Sequence, residues 1–281
     1  MKKGVQKIFS QVVEKYELIN HLLTWGLDVH WRKKAAKLVE PQPGQKWLDV
    51  CTGTGEMVTA LARRAERTSF GSKKVRAGRK NLEDRRNQPP FSLGSQPGGL
   101  EEAEALVAED PLLSSPALFV ALDFCLAMLP YLQETKVPCL SCPLHLVQAD
   151  VRRLPFSEGV FDGVSISFAT RNLGLDQQKL LPFFQEIWRV LKPQGVFLNL
   201  ETSQPQPKWL RRLFHLYLRL TVKPLGIRLS GSSPAYAYLA YTIPRFLSAD
   251  EVSEVLQKAG FSLVKVKRLF FGVAAIHLAY K

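Results

Sequence analysis

Residues 46–56 constrain this chain most, because a short apolar run ends there in an acid and continues into a glycine-rich turn. Residues 47–50 are typical of a buried parallel strand, and the apolar spacing after Glu56 predicts a helix that ends near residue 64. Gly53 and Gly55 have no Cβ, so the backbone there can approach a ligand closely. This order predicts a doubly wound α/β sheet with a ligand at the carboxyl ends of its strands.

The turn differs from the dinucleotide fingerprint, which would require a third glycine at Val58. The observed acid-x-x-x-Gly-x-Gly pattern begins at Asp49 and suits a cofactor that has a positive centre and no phosphates. S-adenosylmethionine, a sulfonium that carries an amino acid and an adenosine, fits this description. The pattern is weak evidence by itself, because a tight strand-to-helix turn without a ligand shows it too.

Two later apolar runs also lead into acids, Asp123 and Asp150. The carboxyl ends of parallel strands meet at one edge of a sheet, so these acids and Asp49 are predicted to converge on one crevice. Carboxylates there can accept hydrogen bonds from ribose hydroxyls or amino groups. Residues 161–167 and 196–201 predict two further strands. A helix between them is predicted over 177–191, with Pro182 at an internal start, and 263–281 predict a closing hairpin.

Charge and length limit the function classes. The chain has 281 residues and 46% hydrophobic composition, which is enough for one large α/β domain or two small ones. The sequence shows neither a signal peptide nor an apolar run of spanning length, which favours the cytoplasm, or an organelle matrix in a eukaryote. The net charge of +13 favours an anionic partner, either nucleic acid or a membrane surface.

Four segments organise the chain. Residues 1–44 predict an N-terminal helical cap, and 45–281 predict the sheet domain. Within that domain, 66–116 lose all periodicity and predict an insert, either disordered or a folded lid or docking arm. Residues 205–248 contain no acid and interleave basic with apolar residues, which predicts a basic amphipathic segment. This segment is either a membrane-surface helix or a lid with a solvated basic face.

The four cysteines predict neither disulfides nor a metal site. Cys51 and Cys125 follow strand ends, where packing is the usual role. Cys139 and Cys142 form a lone C-x-x-C pair with His145 nearby, which is fewer than the four ligands of structural zinc.

Several motifs resemble those of the C-methyltransferases of ubiquinone and menaquinone biosynthesis. The resemblance covers nearly the whole chain except the insert. Its motifs are KYELIN at 15–20, LDVCTGTG at 48–55, LPF at 154–156, ISFATRN at 166–172, RVLKP at 189–193, LETS at 200–203, SG at 230–231 with YAYL at 236–239, and GVAAIH at 272–277. The S-F-x-x-R-N and Tyr-x-Tyr-Leu stretches are the most specific of these.

The resemblance implies a class I S-adenosylmethionine-dependent methyltransferase, with a Rossmann-like, mostly parallel seven-stranded sheet and an antiparallel C-terminal hairpin. It implies methyl transfer to a ring carbon of a polyprenylated quinol, with demethylmenaquinol favoured and a benzoquinol left open. The residues it assigns to the cofactor are Thr54, Asp123, Asp150 with Val151, and Ser167, beside Asp49, Gly53 and Gly55 of the turn.

The chemistry requires electron density on the ring, so a base or a cation that stabilises phenolate is expected near the methyl donor. Arg171 follows the fourth strand and is the best cation, unless it only pairs with an acid. Asn172 is expected to orient the hydroxyl, and Tyr16 to complete the site. His277 is either a base or a histidine hydrogen-bonded in place. Tyr236, Tyr238 and His277 are assigned to substrate binding.

The sequence departs from the family pattern at four places. Glu17 replaces the usual Asp, Ala169-Thr170 replace Gly and an apolar residue, Gln194 replaces Gly, and Phe271 replaces Gly or Ser. The change at Ala169-Thr170 puts the identity of the quinol in doubt.

Two alternative functions stay open. One is an RNA methyltransferase, although this sequence lacks a correctly placed N/D-P-P-Y motif, and the other is a non-catalytic quinone-binding scaffold. The predicted partners are the quinol and an anionic inner-membrane surface rather than nucleic acid, and a homodimer or a quinone-biosynthesis complex stays open.

Overall fold

The computed structural model describes residues 21, 24–69, 116–135, 142–230 and 233–281. The strands in these ranges are β1 (Lys46–Val50), β2 (Leu118–Asp123), β3 (Leu144–Gln148), β4 (Phe161–Ser167), β5 (Leu191–Thr202), β6 (Leu263–Leu269) and β7 (Ala274–Tyr280). The helices are α1 (Leu27–Val39), α2 (Glu56–Ser69), α3 (Met128–Thr135), α4 (Thr170–Leu173), α5 (Gln177–Val190), α6 (Lys208–Ser230), α7 (Ser233–Thr242) and α8 (Ala249–Lys258). Short 3-10 turns lie at Ile243–Arg245 and Phe270–Gly272.

The described strands form one seven-stranded sheet in the order β3-β2-β1-β4-β5-β7-β6. Neighbours from β3 to β5 pair in parallel, and β7 runs antiparallel between β5 and β6. The order reverses between β1 and β4, so a crevice opens at the carboxyl ends of these strands. The predicted fold class, including the closing antiparallel hairpin, is confirmed.

Two hydrophobic layers cover the sheet. Along β1, Trp47 packs into one layer with α1 and α2, and its neighbour Leu48 packs into the other with α5 and α8. This alternation follows from the two-residue period of a strand. Because Ala35 of α1 is fully buried in the first layer, the described part of the predicted cap shares a core with the sheet.

Two predicted helix boundaries are wrong. The helix after the glycine-rich turn continues to Ser69, so residues 66–69 belong to α2 and not to the insert. The Thr68 hydroxyl donates to the Pro41 carbonyl at 3.1 Å, which helps to hold this last turn. Helix α5 begins at Gln177, where the Asp176 carboxylate accepts from the Lys179 amide, and Pro182 lies inside the helix rather than at a start. Residues 70–115 lie outside the described residues.

Two departures from the family pattern coincide with unusual backbone. Gln194 and Phe271, at positions where the family has glycine or a small residue, have φ of 66° and 57°. Glycine adopts this left-handed region without strain, whereas a side chain with a Cβ is strained there. Gln194 lies in the 192–195 segment, where β5 loses its regular register with β4.

Helices α6 and α7 pack against each other, and residues of both line a cavity together with Phe168 and Thr202 at the ends of β4 and β5. They occupy the predicted amphipathic segment. None of the described helices is long and apolar enough to cross a membrane.

The two turn glycines offer a matched test of this local geometry. Both have positive φ, 55° for Gly53 and 79° for Gly55. An added Cβ at Gly53 meets nothing within 4 Å, whereas at Gly55 it would lie 2.5 Å from Leu132 Cδ1. We expect Gly53→Ala to lower the free energy of unfolding by about 1–2 kcal/mol, and Gly55→Ala by roughly 1–3 kcal/mol more. Urea unfolding measures both, and equal losses would contradict the packing against Leu132.

Candidate active site

A crevice whose lining includes charged and apolar side chains, which we call the polar crevice, lies at the carboxyl ends of β1, β2 and β4. Its volume is about 70 Å³. The residues that line it are Arg32, Cys51, Thr52, Gly53, Thr54, Glu56, Asp123, Phe124, Cys125, Met128, Ser167, Phe168, Ala169 and Asn172. The crevice therefore includes four predicted cofactor residues, Gly53, Thr54, Asp123 and Ser167, and one predicted catalytic residue, Asn172.

Asp123 is the acid that faces the crevice. Its Oδ2 accepts from the Gly53 amide and its Oδ1 from the Cys125 amide, both at 2.8 Å. Burial raises the pKa of this carboxyl, although the backbone donors oppose the shift. The two amides fix the carboxylate at the turn, and each oxygen retains capacity to accept a further hydrogen bond.

Asp49 does not line the crevice, but its hydrogen bonds stabilise the turn that does. Its carboxylate accepts from the Thr52 hydroxyl at 2.6 Å and from the Ser165 hydroxyl at 2.5 Å. Burial raises its pKa to about 6, against these hydrogen bonds. Asp49 thus ties the turn after β1 to the neighbouring strand β4, which is a structural contribution to the site.

Asp150 also lies outside the crevice lining, and its carboxylate pairs with the Arg152 guanidinium. Hydrogen bonds from Arg152 hold the pKa of Asp150 well below its usual range. Of the three strand-end acids that were predicted to converge on one crevice, only Asp123 lines it. All three add to the effect of burial in raising the pKa of the Cys51 thiol. Val151 is buried in the core beside Asp150 and does not reach the crevice.

Arg32 forms a buried ion-pair cluster at one wall of the crevice. One guanidinium nitrogen lies 2.7 Å from Asp28 Oδ2 and 2.8 Å from Glu56 Oε2. The same guanidinium stands over the Phe168 ring at 5.0 Å from its centroid, within cation–π range. Burial alone would raise the pKa of Asp28, but hydrogen bonds from Thr24 and Arg32 and the charge of Arg32 lower it on balance.

A large apolar cavity of about 740 Å³ adjoins the crevice, and Arg32 and Phe168 line both. The start of α1, the ends of β4 and β5, helices α6 and α7, and the turn after β6 form its walls. The remaining lining residues are Thr24, Trp25, Leu27, Asp28, Trp31, Arg171, Thr202, Leu210, Leu213, Phe214, Tyr217, Leu218, Leu239, Ile243, Phe270 and Val273. The two cavities thus place a polar pocket beside an apolar one.

Arg171 lines the apolar cavity as part of a buried ion pair. Its Nη1 lies 2.6 Å from Glu201 Oε1 and donates to the Phe168 carbonyl at 2.9 Å. Glu201 also accepts from the Thr202 amide at 2.7 Å. The structure therefore shows the ion pair with an acid that was the alternative role for Arg171. It also places Arg171 in the lining of the apolar cavity.

Asn172 supplies the unsatisfied group of the crevice. Its Oδ1 is buried, and no hydrogen-bond partner reaches it within the described part of the chain. A buried acceptor without a partner is costly, so a donor on a bound molecule would stabilise the site.

The other predicted site residues lie elsewhere. His277 is buried on β7, where its Nε2 lies 2.9 Å from the Ala249 carbonyl oxygen, and it lines neither cavity. Tyr238 is half-buried on α7 and lines neither cavity, although its neighbour Leu239 does. The Tyr236 side chain, Tyr16 and Cys139 lie outside the described residues. Cys51, Cys125 and Cys142 are free thiols.

The crevice lining also includes Arg32, Glu56 and Phe168, which were not predicted from the sequence as site residues. Glu56 directly follows the glycine-rich turn, and Phe168 lies inside the S-F-x-x-R-N stretch, so both were visible as members of motifs. Arg32 is one of many basic residues in the N-terminal segment, and only its packing distinguishes it.

The sheet order and the crevice at its switch point are those of the class I methyltransferase fold. A solved S-adenosylmethionine-dependent methyltransferase from Thermotoga maritima matches with a TM-score of 0.54 at 14% identity, over 98% of this chain and 99% of that chain. At this identity the likeness shows the fold alone.

A model of the ubiE/COQ5 methyltransferase family matches residues 1–281. The chain is 30% identical over 278 residues to the mitochondrial 2-methoxy-6-polyprenyl-1,4-benzoquinol methylase of Rattus norvegicus, covering 99% of this chain and 79% of that protein. It is 30% identical over 280 residues to the demethylmenaquinone methyltransferase of Geobacillus stearothermophilus, covering 99% and 96%. The chain therefore belongs to the ubiE/COQ5 methyltransferase family, and its cofactor is S-adenosylmethionine.

The acid stability of the protein tests the structural placement of His277. Burial lowers its pKa from 6.5 to about 4, so the unfolded chain binds the proton first as the pH falls. The corresponding stability is present above pH 6.5 and is lost as the pH falls to about 4, a loss of roughly 3 kcal/mol. We expect His277→Gln to remove this loss in unfolding curves measured across that window.

His30, an exposed histidine on α1, is the matched control, and His30→Gln should leave the acid sensitivity unchanged. The pH dependence of methyl transfer should also be the same in His277→Gln and in the unmodified enzyme. A changed pH–rate profile with unchanged acid stability would instead give His277 the role of a base.

Proposed function

We propose that this enzyme methylates a ring carbon of a polyprenylated quinol, with demethylmenaquinol as the first ring to test. The observation that carries the proposal is the apolar cavity of about 740 Å³ beside the polar crevice. A polyprenyl tail is long and apolar, so burial in such a cavity is favourable in proportion to the area removed from water. An RNA substrate would require basic groups along a groove, whereas this cavity is lined mainly by apolar side chains.

Crevice residues of matching chemistry would hold the cofactor. Asp123 offers carboxylate oxygens to ribose hydroxyls, and Asn172 Oδ1 offers an acceptor to an amino group. Arg32 offers a buried guanidinium to a carboxylate, and Glu56 beside it offers a negative charge to a cationic group. The open space at Gly53, where an added Cβ would meet nothing within 4 Å, leaves room for a ligand against the backbone.

When bound, S-adenosylmethionine would supply an activated methyl group, and in-line transfer of this group from sulfur to a ring carbon would release S-adenosylhomocysteine. The protein then has to favour the ionised quinol, because loss of a phenolic proton makes the ortho carbon nucleophilic. Arg171 is the cation that we assign to this task, since it reaches the apolar cavity beside Phe168. A positive charge in a site of low dielectric stabilises phenolate more than water would.

Two relatives whose names give different substrates match this chain at the same 30% identity, one a benzoquinol methylase and one a demethylmenaquinone methyltransferase. The ring is therefore best decided by assay. The purified protein would receive labelled S-adenosylmethionine with demethylmenaquinol, a polyprenyl benzoquinol or bulk RNA in parallel. We expect label in a quinol, on ring carbon by mass spectrometry. Label in RNA alone would reject the proposal, and cofactor binding without transfer to either quinol would favour the scaffold alternative.

The role of Arg171 can be separated from its ion pair with two variants. Glu201→Gln removes the counter-charge and keeps a hydrogen-bonding side chain, whereas Arg171→Gln with Glu201→Gln also removes the cation. We expect the double variant to transfer methyl groups roughly a hundredfold more slowly than Glu201→Gln, because one stabiliser of developing charge is lost. Its rate should recover as the pH rises, since hydroxide can then generate phenolate.

Single-turnover kinetics and thermal unfolding should be measured on both variants, because an unpaired buried charge costs stability. A purely structural role predicts similar rates for the two variants at every pH. It also predicts that any loss of rate follows the loss of stability.

We further infer that the enzyme associates peripherally with a membrane, where such a lipid resides. The sequence from 202 to 249 contains no acid, and Lys208, Arg212 and Arg219 of α6 are exposed. Each basic residue near an anionic surface contributes about 1 kcal/mol, and salt screens the attraction.

Vesicle sedimentation tests this attraction. Arg212→Gln with Arg219→Gln should weaken binding to anionic vesicles roughly tenfold or more at low salt, and much less at high salt. Arg63→Gln with Arg67→Gln is the matched control, because both residues are exposed on α2, which runs away from the crevice edge. Equal losses in the two pairs would show that net charge alone, and not α6, drives binding.

A further inference from the structure

Three exposed aromatic residues, Trp25, Phe270 and Phe271, form what we call the aromatic rim. Trp25 precedes α1 and is 82% exposed, while Phe270 and Phe271 follow β6 and are 58% and 76% exposed. Aromatic rings of this size rarely remain in water, because each forgoes a large favourable burial. Such exposed apolar groups mark interaction sites when they are grouped.

The backbone of the aromatic rim is strained as well. Trp25, Phe270 and Phe271 have φ of 55°, 44° and 57°, which places bulky residues in the left-handed region. Glycine would occupy these positions without that strain. Strained conformations persist where the surrounding structure holds them, and they are concentrated at functional sites. The strained backbone and the exposed side chains are thus two separate properties of the same three residues.

The aromatic rim lies at the opening of the apolar cavity. Trp25 and Phe270 line that cavity although more than half of each side chain faces solvent. The Trp25 indole nitrogen donates to the Tyr217 hydroxyl at 3.3 Å, which joins this side of the opening to α6. The rings of Phe270 and Phe271 pack edge to face at 5.7 Å between centroids. A molecule that enters the cavity here would pass these rings.

The outer face of α6 carries both apolar and basic side chains. Trp209, Leu216 and Leu220 are exposed at helical spacing, and Arg212 and Arg219 stand among them. The inner face of the same helix lines the cavity with Leu210, Phe214 and Leu218. A solvated helix would carry polar residues on its outer face, so this face fits a surface that is apolar below and anionic above.

We infer that the aromatic rim inserts into the interfacial layer of a bilayer, so that the apolar cavity opens directly to the hydrocarbon. The rim adds an apolar, salt-resistant anchor to the electrostatic attraction of α6. This inference rests on the proposed function for the identity of the molecule that enters, but the anchor itself does not depend on it. Tryptophan is enriched at membrane interfaces, and phenylalanine is typical of the apolar face that interfacial segments bury at the boundary between headgroups and acyl chains.

Charge complementarity selects a bilayer over a second copy of this chain. The chain carries a net charge of +13, and the exposed charges on α6 beside the rim are all basic. Two such surfaces would repel each other, whereas anionic headgroups attract them.

The experiment compares Phe271→Ser and Trp25→Ser with the matched control Leu263→Ser, by flotation with phosphatidylcholine vesicles and with vesicles that also contain phosphatidylglycerol, at low and high salt. Leu263 is 48% exposed and lies at the other end of β6 from the rim. We expect each rim variant to lose vesicle affinity roughly tenfold, in both salts and for both lipids. Leu263→Ser should bind as the unmodified protein does.

Activity measurements distinguish a role in membrane anchoring from a role in methyl transfer. Phe271 lines neither cavity, so Phe271→Ser should methylate a water-soluble short-chain quinol at an unchanged kcat. The same variant should show a raised apparent KM for a long-chain quinol presented in vesicles. Unchanged vesicle binding in both rim variants overturns the inference, even if methylation of quinols is found. A change of oligomeric state in sedimentation velocity, with vesicle binding intact, overturns it in favour of a second copy of the chain.

Discussion

The buried guanidinium of Arg32 joins the parts of this site. It binds Asp28 within its own helix and Glu56 at the start of α2, and it stands over the Phe168 ring at the end of β4. A buried cation requires compensation by nearby acids, so α1, the glycine-rich turn and β4 must come together for this cluster to form. Because Arg32 and Phe168 line both cavities, the cluster also divides the polar crevice from the apolar one.

That division suits the proposed chemistry. A charged donor needs carboxylate and amide groups around it, and the crevice provides these at strand ends, where backbone amides such as that of Gly53 are free of sheet pairing. A ring with a prenyl tail needs the opposite environment. The apolar cavity meets this need, and its low dielectric strengthens the effect of Arg171 on a developing phenolate. The two cavities at the carboxyl ends of the strands thus provide a polar environment for the charged methyl donor and an apolar environment for the prenylated ring.

Of the described non-glycine residues with positive φ, Trp25, Phe168 and Phe270 line the apolar cavity and Phe271 packs on Phe270, whereas Glu40, Cys51 and Gln194 lie elsewhere. Phe168 has φ of 53°, as unusual for a bulky residue as the values of Trp25, Phe270 and Phe271. Phe168 is half-buried between the two cavities, where Trp31 and Arg32 pack against its ring, and this packing compensates for the strain. The three exposed aromatic residues lack comparable burial in the protein. A membrane would supply that burial, which links the local backbone to the proposed location of the enzyme.

The sequence determined the sheet, because local patterns carry that information: apolar runs that end in Asp49 and Asp123, and a glycine-rich turn, predict parallel strands without knowledge of their neighbours. It also placed Gly53, Thr54, Asp123, Ser167 and Asn172 near one another, since strand ends share an edge. Only the tertiary structure decided that Asp49 supports the turn from below, that Arg171 pairs with Glu201, and that His277 is buried away from both cavities. Arg32 became a site residue only through contacts with residues far along the chain. Burial and pairing depend on which surfaces meet, and a one-dimensional pattern does not contain that information.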